Sequence, residues 1–360
     1  VKKLEKVYKN RKIPDDYTGV ICTFDLDKTY LATKFEKISG LFRIAFEKAE
    51  DKKNIPGAAA LVRELRRGVD QNISTPIYFI SGSPEELETV VREKFELDGV
   101  AFDGILFKNF REAIRKFKFK KIVDKIGFKL SALIYARSVF PPNADEILFG
   151  DDSEYDSTVY SLYSDIISGN LKDYEVMTIL RKWDVDGEDL ELIAESMKQL
   201  HKSAFKPREA VRGIFIHLEM KSSPSDHSQL SPLVNGTSNY FQTSVLLYKM
   251  NLISKAGLFR IIMDLTRHYH FKAHDFAVSL EDLIRRSLIS SSEAQDLLKL
   301  VSMGNPLMIS RGWMMEFMAE VNRIIDRLAH FSEHLPGIAS DKKYLTLTEK
   351  YLLHKPVRRV

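Results

Sequence analysis

Apolar and polar positions alternate along this chain in two regimes. In the first half, short apolar runs near 20–25, 77–81, 103–107, 145–150 and 164–168 read as buried strands. Between them, stretches near 57–67, 84–95 and 128–138 carry the three-to-four-residue spacing of helices. That alternation predicts an α/β fold with a doubly wound parallel sheet. A helical stretch near 172–202 follows, and 211–219 reads as one more strand. Residues 222–236 are rich in Ser and Pro and read as a loop or linker. Beyond it the pattern is helical, at 239–249, 257–270, 275–288, 294–303 and 313–331, with Ser290 and Glu293 forming a capping box before the fourth. The expected organisation is a basic amino-terminal lead (1–17), a core (18–221), a linker (222–238) and an all-helical carboxy-terminal region (239–360).

Several predicted strands deliver polar residues just past their carboxyl ends, where open α/β sheets bind ligands. Asp25 and Asp27 follow the apolar run 19–24. Side chains two apart on a strand share a face. Two carboxylates that close repel unless a cation lies between them or one keeps its proton. The run 77–80 ends in Ser81, Gly82 and Ser83, and 144–149 runs into Gly150, Asp151, Asp152, Ser153 and Asp156. Lys129 opens an apolar helical pattern between these two segments.

The order of aspartate pair, hydroxyl, lysine and acidic cluster resembles the haloacid-dehalogenase superfamily of phosphotransferases. Within it, the segments 80–84 and 148–157 most resemble the actin-patch-associated phosphatidate phosphatases and their bacterial relatives. The resemblance spans about residues 18–220. The chain departs from it at Lys28, where many superfamily members carry glycine or another acid, and at Gly82, where the subfamily usually has serine.

The resemblance implies a Rossmann-like core with a helical carboxy-terminal region and a phosphomonoester hydrolase. Asp25 would be the nucleophile that forms an aspartyl-phosphate. Asp27 would act as general acid and then general base. Ser81 would hold a phosphoryl oxygen, and Lys129 would neutralise the phosphate and the Asp25 carboxylate. Mg²⁺ would be held by Asp25, the Asp27 carbonyl and Asp151, with Asp152 and Asp156 as further ligands or as groups that orient them. Thr29, Gly82 and Ser83 are expected on the substrate side of the site. Lys125 is an alternative for the motif lysine, and Ser83 is an alternative to Ser81 or a helix cap before Pro84. The second aspartate, Asp27, is absent from the dehalogenase branch, which favours phosphoryl transfer. Because only 31–55 separates the aspartates from the next core helix, the expected cap is small or absent, at most a helix near 38–49. A site left open in this way would admit bulky substrates, unless the helical half closes over it.

Composition bounds the remaining choices. The chain has 360 residues, 44% of them hydrophobic, which supports sizeable cores, and it holds no apolar run of membrane-spanning length. One cysteine, Cys22, excludes an intrachain disulfide, and with no leader pattern at the start a cytoplasmic location is expected. A net charge of +4 carries no nucleic-acid signature. The segment 108–129 is strongly basic and interleaved with Phe110, Phe117 and Phe119, a composition suited to peripheral contact with an anionic membrane or to a solvated helix face over packed aromatics. The substrate classes in play are a phosphorylated lipid first, then a phosphoprotein or small phosphometabolite. A non-catalytic scaffold that holds metal or phosphate is the alternative from another class. His268, His270, His274 and Asp275 offer a second metal-site pattern with His227 upstream, and surface or interhelix hydrogen bonding is the preferred reading. His217 and Glu219 share a strand face that could approach the active site, and a packed strand end is the preferred reading.

Overall fold

The computed structural model describes residues 13–32, 48–70, 74–84, 87–108, 123–153, 155–302 and 310–328. Among the described residues six strands form one sheet: β1 (Val20–Asp25), β2 (Ile77–Pro84), β3 (Gly104–Lys108), β4 (Asp145–Asp151), β5 (Val211–His217) and β6 (Val234–Thr237). Their order is β3-β2-β1-β4-β5-β6, and every pairing is parallel. The chain works outward from β1 to β3, then crosses back to place β4 on the other side of β1. The two halves therefore diverge between β1 and β4, and open sheets of this kind bind ligands at the carboxyl ends flanking that switch. Asp25 and Asp151 are the last residues of these two strands.

Parallel strands are buried on both faces, which is why these runs are apolar almost throughout. One face presents Phe24, Phe79, Phe149 and Phe215 to a cluster that includes α1 (Ala58–Arg67) and α2 (Glu88–Leu97). Phe24 stacks on Phe149 with ring centroids 4.0 Å apart. The other face presents Ile80, Leu148, Ile214 and Ile216 to α3 (Val123–Val139), α4 (Asp156–Ser168), α5 (Asp173–Lys182) and α6 (Gly187–Lys202).

The strand expected at 164–168 is instead the last turn of α4. Ile166 and Ile167 share helical spacing with buried Val159, Tyr160 and Tyr163, so packing overrides their β preference. Gly169, in the left-handed region at φ 79°, ends that helix. The segment expected to be a linker holds a short helix, α7 (Pro224–Ser228), and the edge strand β6. Four residues containing Gly236 carry too little β pattern to stand out in the sequence. Residues 38–47 of the expected helix at 38–49 and most of the basic segment 108–129 lie outside the described residues, and Ala49 begins a short 3-10 turn (Ala49–Asp51).

The helical pattern beyond 239 resolves into α8 (Tyr240–Lys249), α9 (Lys255–Tyr269), α10 (Ala273–Arg285), α11 (Ser291–Ser302) and α12 (Arg311–Leu328). Phe241, Leu258, Phe276 and Val321 from these helices belong to the same apolar cluster as Phe24 and Phe149 of the sheet. No described helix is long and apolar enough to cross a membrane.

Two contacts set α3, which carries Lys129. Near its start, a Cβ on Gly127 would lie 2.5 Å from the Asp189 side chain, so glycine permits the close approach of α6. Near its end, fully buried Arg137 pairs with Glu146 of β4 at 3.0 Å and donates to the Ala144 carbonyl at 2.9 Å. The Tyr163 hydroxyl lies 2.9 and 3.0 Å from the two Glu146 oxygens. Removing one partner strands a buried charge. Arg137→Met is expected to cost about 3–5 kcal/mol of unfolding free energy in a urea titration. Arg137→Met combined with Glu146→Leu should recover a large part of that loss.

Candidate active site

At the end of β1 the chain turns back on itself at once. The Leu26 carbonyl accepts from Tyr30 N at 3.0 Å and Leu31 N at 2.9 Å, and Lys28 N donates to the Leu31 carbonyl at 2.7 Å. Lys28 sits at φ 58°, the left-handed conformation that glycine adopts most cheaply. Leu26 N donates to the Ile80 carbonyl at 3.2 Å, which ties the turn to β2. The turn presents buried Asp25, Asp27 and Thr29 at the carboxyl edge of the sheet.

β2 loses regular register between Ser81 and Pro84, and this irregularity brings two hydroxyls to the same acid. Ser81 Oγ donates to Asp27 Oδ2 at 3.2 Å, and Ser83 Oγ donates to the same oxygen at 2.7 Å. Ser83 N donates to Ser81 Oγ at 3.0 Å, which closes the loop around Gly82. Ser83 therefore meets Asp27 together with Ser81.

Lys129 joins the other half. Its buried ammonium lies 2.9 Å from Asp25 Oδ1 and 2.5 Å from Asp156 Oδ1. Asp156 Oδ2 accepts from Asp151 N at 3.2 Å, and Asp151 Oδ1 accepts from Ser153 N at 2.6 Å. Carboxylate oxygens of Asp25, Asp151 and Asp156 all lie within 4.8 Å of one another. Three buried carboxyl groups face one ammonium here, so their charge is balanced only by a cation or by retained protons. An unbalanced charge there is costly. All-oxygen donors of this kind suit a hard divalent cation, so these residues fit a metal of the Mg²⁺ type. Both Asp156 oxygens are engaged, by Lys129 and by the Asp151 backbone, while Asp25 meets Lys129 and Asp151 meets Ser153 N, each through Oδ1. The side chain of Lys125 lies outside the described residues.

Asp152 is not part of that trio. Its Oδ1 accepts from Met220 N at 2.7 Å, and its Oδ2 accepts from Ser222 N at 3.1 Å and Ser222 Oγ at 2.6 Å. Ser222 Oγ is also 2.7 Å from His227 Nε2, and His227 Nδ1 is 3.0 Å from Ser157 Oγ. This chain of contacts fastens the loop after β5 to the start of α4. Burial pushes the His227 imidazole below its ordinary value, with Asp152 and Asp226 opposing the shift. His274 pairs with Glu320 at 2.8 Å, and Asp275 accepts from Lys272 N at 2.7 Å as a helix cap. Among the described residues, the acidic trio is the one group of His, Cys, Asp and Glu arranged to hold a metal.

Two further residues border the site: Tyr240, which the sequence did not single out, and His217, which it offered as an approach to the site while favouring a packed strand end. The Tyr240 hydroxyl donates to the Thr29 carbonyl at 2.5 Å, and its ring stacks on His217 with centroids 5.3 Å apart and planes 10° apart. His217 is paired in register with Asp151, and burial pushes its imidazole down to about 4 against the opposing pull of Asp152. Tyr240 opens a helix whose first eight residues are all buried, and nothing in its local sequence separates it from a core aromatic.

Residues 18–172 match the family model for the catalytic domain of phosphatidate phosphatase APP1, which supports a phosphatase. No curated protein and no solved structure matches the chain. The matched segment ends just before α5, so β5, β6 and every later helix lie beyond it.

Gly150 gives this geometry a direct test. A Cβ there would lie 2.4 Å from Asp156 Oδ2 and 2.6 Å from Asp156 Cβ, closer than packed atoms approach. Gly150→Ala is expected to displace Asp156 and to weaken divalent-cation binding, read by calorimetric titration with Mg²⁺ and Mn²⁺, by about tenfold or more. An unchanged affinity would show that Asp156 does not orient the metal site.

Proposed function

We propose that this chain is a Mg²⁺-dependent phosphomonoesterase of the haloacid-dehalogenase kind, working through an aspartyl-phosphate on Asp25, with a phosphorylated lipid as its substrate. The observation that carries the reading is the buried trio Asp25, Asp151 and Asp156 closed by Lys129 at the switch point of a parallel sheet. The lipid preference is supported by the match to a phosphatidate phosphatase domain and by the basic, aromatic segment 108–129.

In this reading the Asp25 carboxylate attacks phosphorus while the ester P–O bond breaks, and Asp27 gives a proton to the departing alkoxide. A water then attacks the acyl phosphate and loses a proton to Asp27. The Asp25–phosphorus bond breaks, which releases phosphate and restores both carboxyl groups. Ser81 and Ser83 fix the orientation of Asp27 by donating to one of its oxygens, so the proton is held in one place in both half-reactions. The Lys129 ammonium beside Asp25 offsets charge that gathers as nucleophile and phosphate meet. A divalent cation held by Asp25 and Asp151 would further neutralise the phosphoryl oxygens. Thr29 and Gly82 sit on the two loops that flank the reacting atoms.

Phosphate release by the purified chain from phosphatidate in mixed micelles and from an aryl phosphate tests this directly. Activity should vanish in EDTA and return with Mg²⁺, and Asp25→Asn should lower kcat by about three orders of magnitude or more. Phosphatidate should be the better substrate. Activity that survives EDTA or Asp25→Asn would overturn the mechanism. Mg²⁺ binding without any turnover would favour the scaffold.

A further inference from the structure

We propose that Tyr240 is a positioning residue for the acidic site, through which the helices after β6 hold the turn that carries Asp25 and Asp27. The role assigned to that turn rests on the phosphatase reading above; the contacts of Tyr240 do not.

The turn meets most of its backbone needs locally. The carbonyls of Leu26 and Leu31 accept from within it, and the Tyr30 carbonyl accepts from Ile55 N at 3.0 Å. The Thr29 carbonyl takes its hydrogen bond from the Tyr240 hydroxyl, 211 positions along the chain. Thr29 is 0% exposed and Tyr240 is 2% exposed, so water does not substitute for this donor.

The ring of Tyr240 is fixed from its other side. It lies parallel to the His217 imidazole, which ends β5 in register with Asp151 of β4. One aromatic side chain thus spans from the turn after β1 to the end of β5 and takes its position from both. Burial, with Asp151 and Asp25 adding to it, pushes the Tyr240 phenol well above its ordinary value. Tyr240 and His217 both lie outside residues 18–172, so this wall of the site is built by chain beyond the matched catalytic segment.

Phenylalanine at 240 would keep the ring and its stacking while leaving the Thr29 carbonyl without a donor. Misplacement of reacting groups by about 1 Å costs on the order of 10²-fold in rate. The effect should therefore fall on kcat, since substrate still meets the same residues.

The test compares wild-type, Tyr240→Phe, Tyr240→p-aminophenylalanine and Asp25→Asn in the full chain. It measures kcat and KM on phosphatidate micelles, with active sites counted as acid-quenched phosphoenzyme. Thermal melts with and without Mg²⁺ accompany it. Tyr240→Phe should lower kcat per site by about tenfold or more while KM stays within about twofold, and the amino variant, which keeps a donor, should restore a large part of the rate. A merely structural role would lower the melting temperature and the number of active sites and leave kcat per site unchanged; that result overturns the proposal. If Tyr240→Phe does not fold, the amino variant decides, since it must then fold and turn over near the wild-type rate. If wild-type itself shows no turnover, or Asp25→Asn keeps it, the phosphatase reading fails. Tyr240 is then judged by the Mg²⁺-induced rise in melting temperature. A weaker rise in Tyr240→Phe upholds the positioning role, and an equal one overturns it.

Discussion

The Lys129 ammonium, held between Asp25 and Asp156 out of contact with water, is the contact on which the rest of the arrangement turns. Without it, three carboxylates, two at strand ends and one at the start of α4, would face one another in a low-dielectric interior and repel unless a cation or a retained proton intervened. Its position is set from two ends of α3. Gly127 admits α6 at one end, and the buried Arg137–Glu146 pair binds the other end to β4. β4 also delivers Asp151, so the lysine and an acid of the site are carried by two elements fastened to each other away from the chemistry. Charge compensation and helix packing are here parts of one construction.

The sequence made the central strands and the four chemical segments readable for one physical reason. Parallel strands buried on both faces leave unbroken apolar runs, and any polar residue directly after such a run is exceptional. Asp25, Ser81 and Asp151 stand out for that reason. Lys129 was expected to open an apolar helix, but α3 begins six residues earlier, at Val123, and Lys129 lies inside it. The misread places lacked that contrast. The run 164–168 has β-branched residues but belongs to a helix because its neighbours bury it at helical spacing. β6 is an edge strand of four residues, too short to leave a period. The distinction between Asp156 and Asp152 lay beyond any pattern, since it depends on which backbone amides each carboxylate meets.

The helices beyond 239 looked separable because a Ser- and Pro-rich stretch precedes them. In the fold they share the apolar cluster of the central strands, and Tyr240 at their start touches the turn after β1. A hydrogen bond between positions so far apart leaves no local trace in the sequence. Its existence changes the meaning of the preceding stretch, which carries α7 and β6 and joins the sheet instead of leaving it.

The placement of β1 has a consequence for how the molecule comes into being. Its neighbours are β2 on one side and β4 on the other, so a strand made before both of its partners is the one that must wait. As the polypeptide leaves the ribosome, Asp25 emerges early, Lys129 and Asp151 much later, and the donor for the Thr29 carbonyl later still. Contacts of such long sequence separation fold slowly. Through most of synthesis the leading aspartates are therefore solvated acids on an unpaired strand, and they become a buried site only when the sheet closes around them.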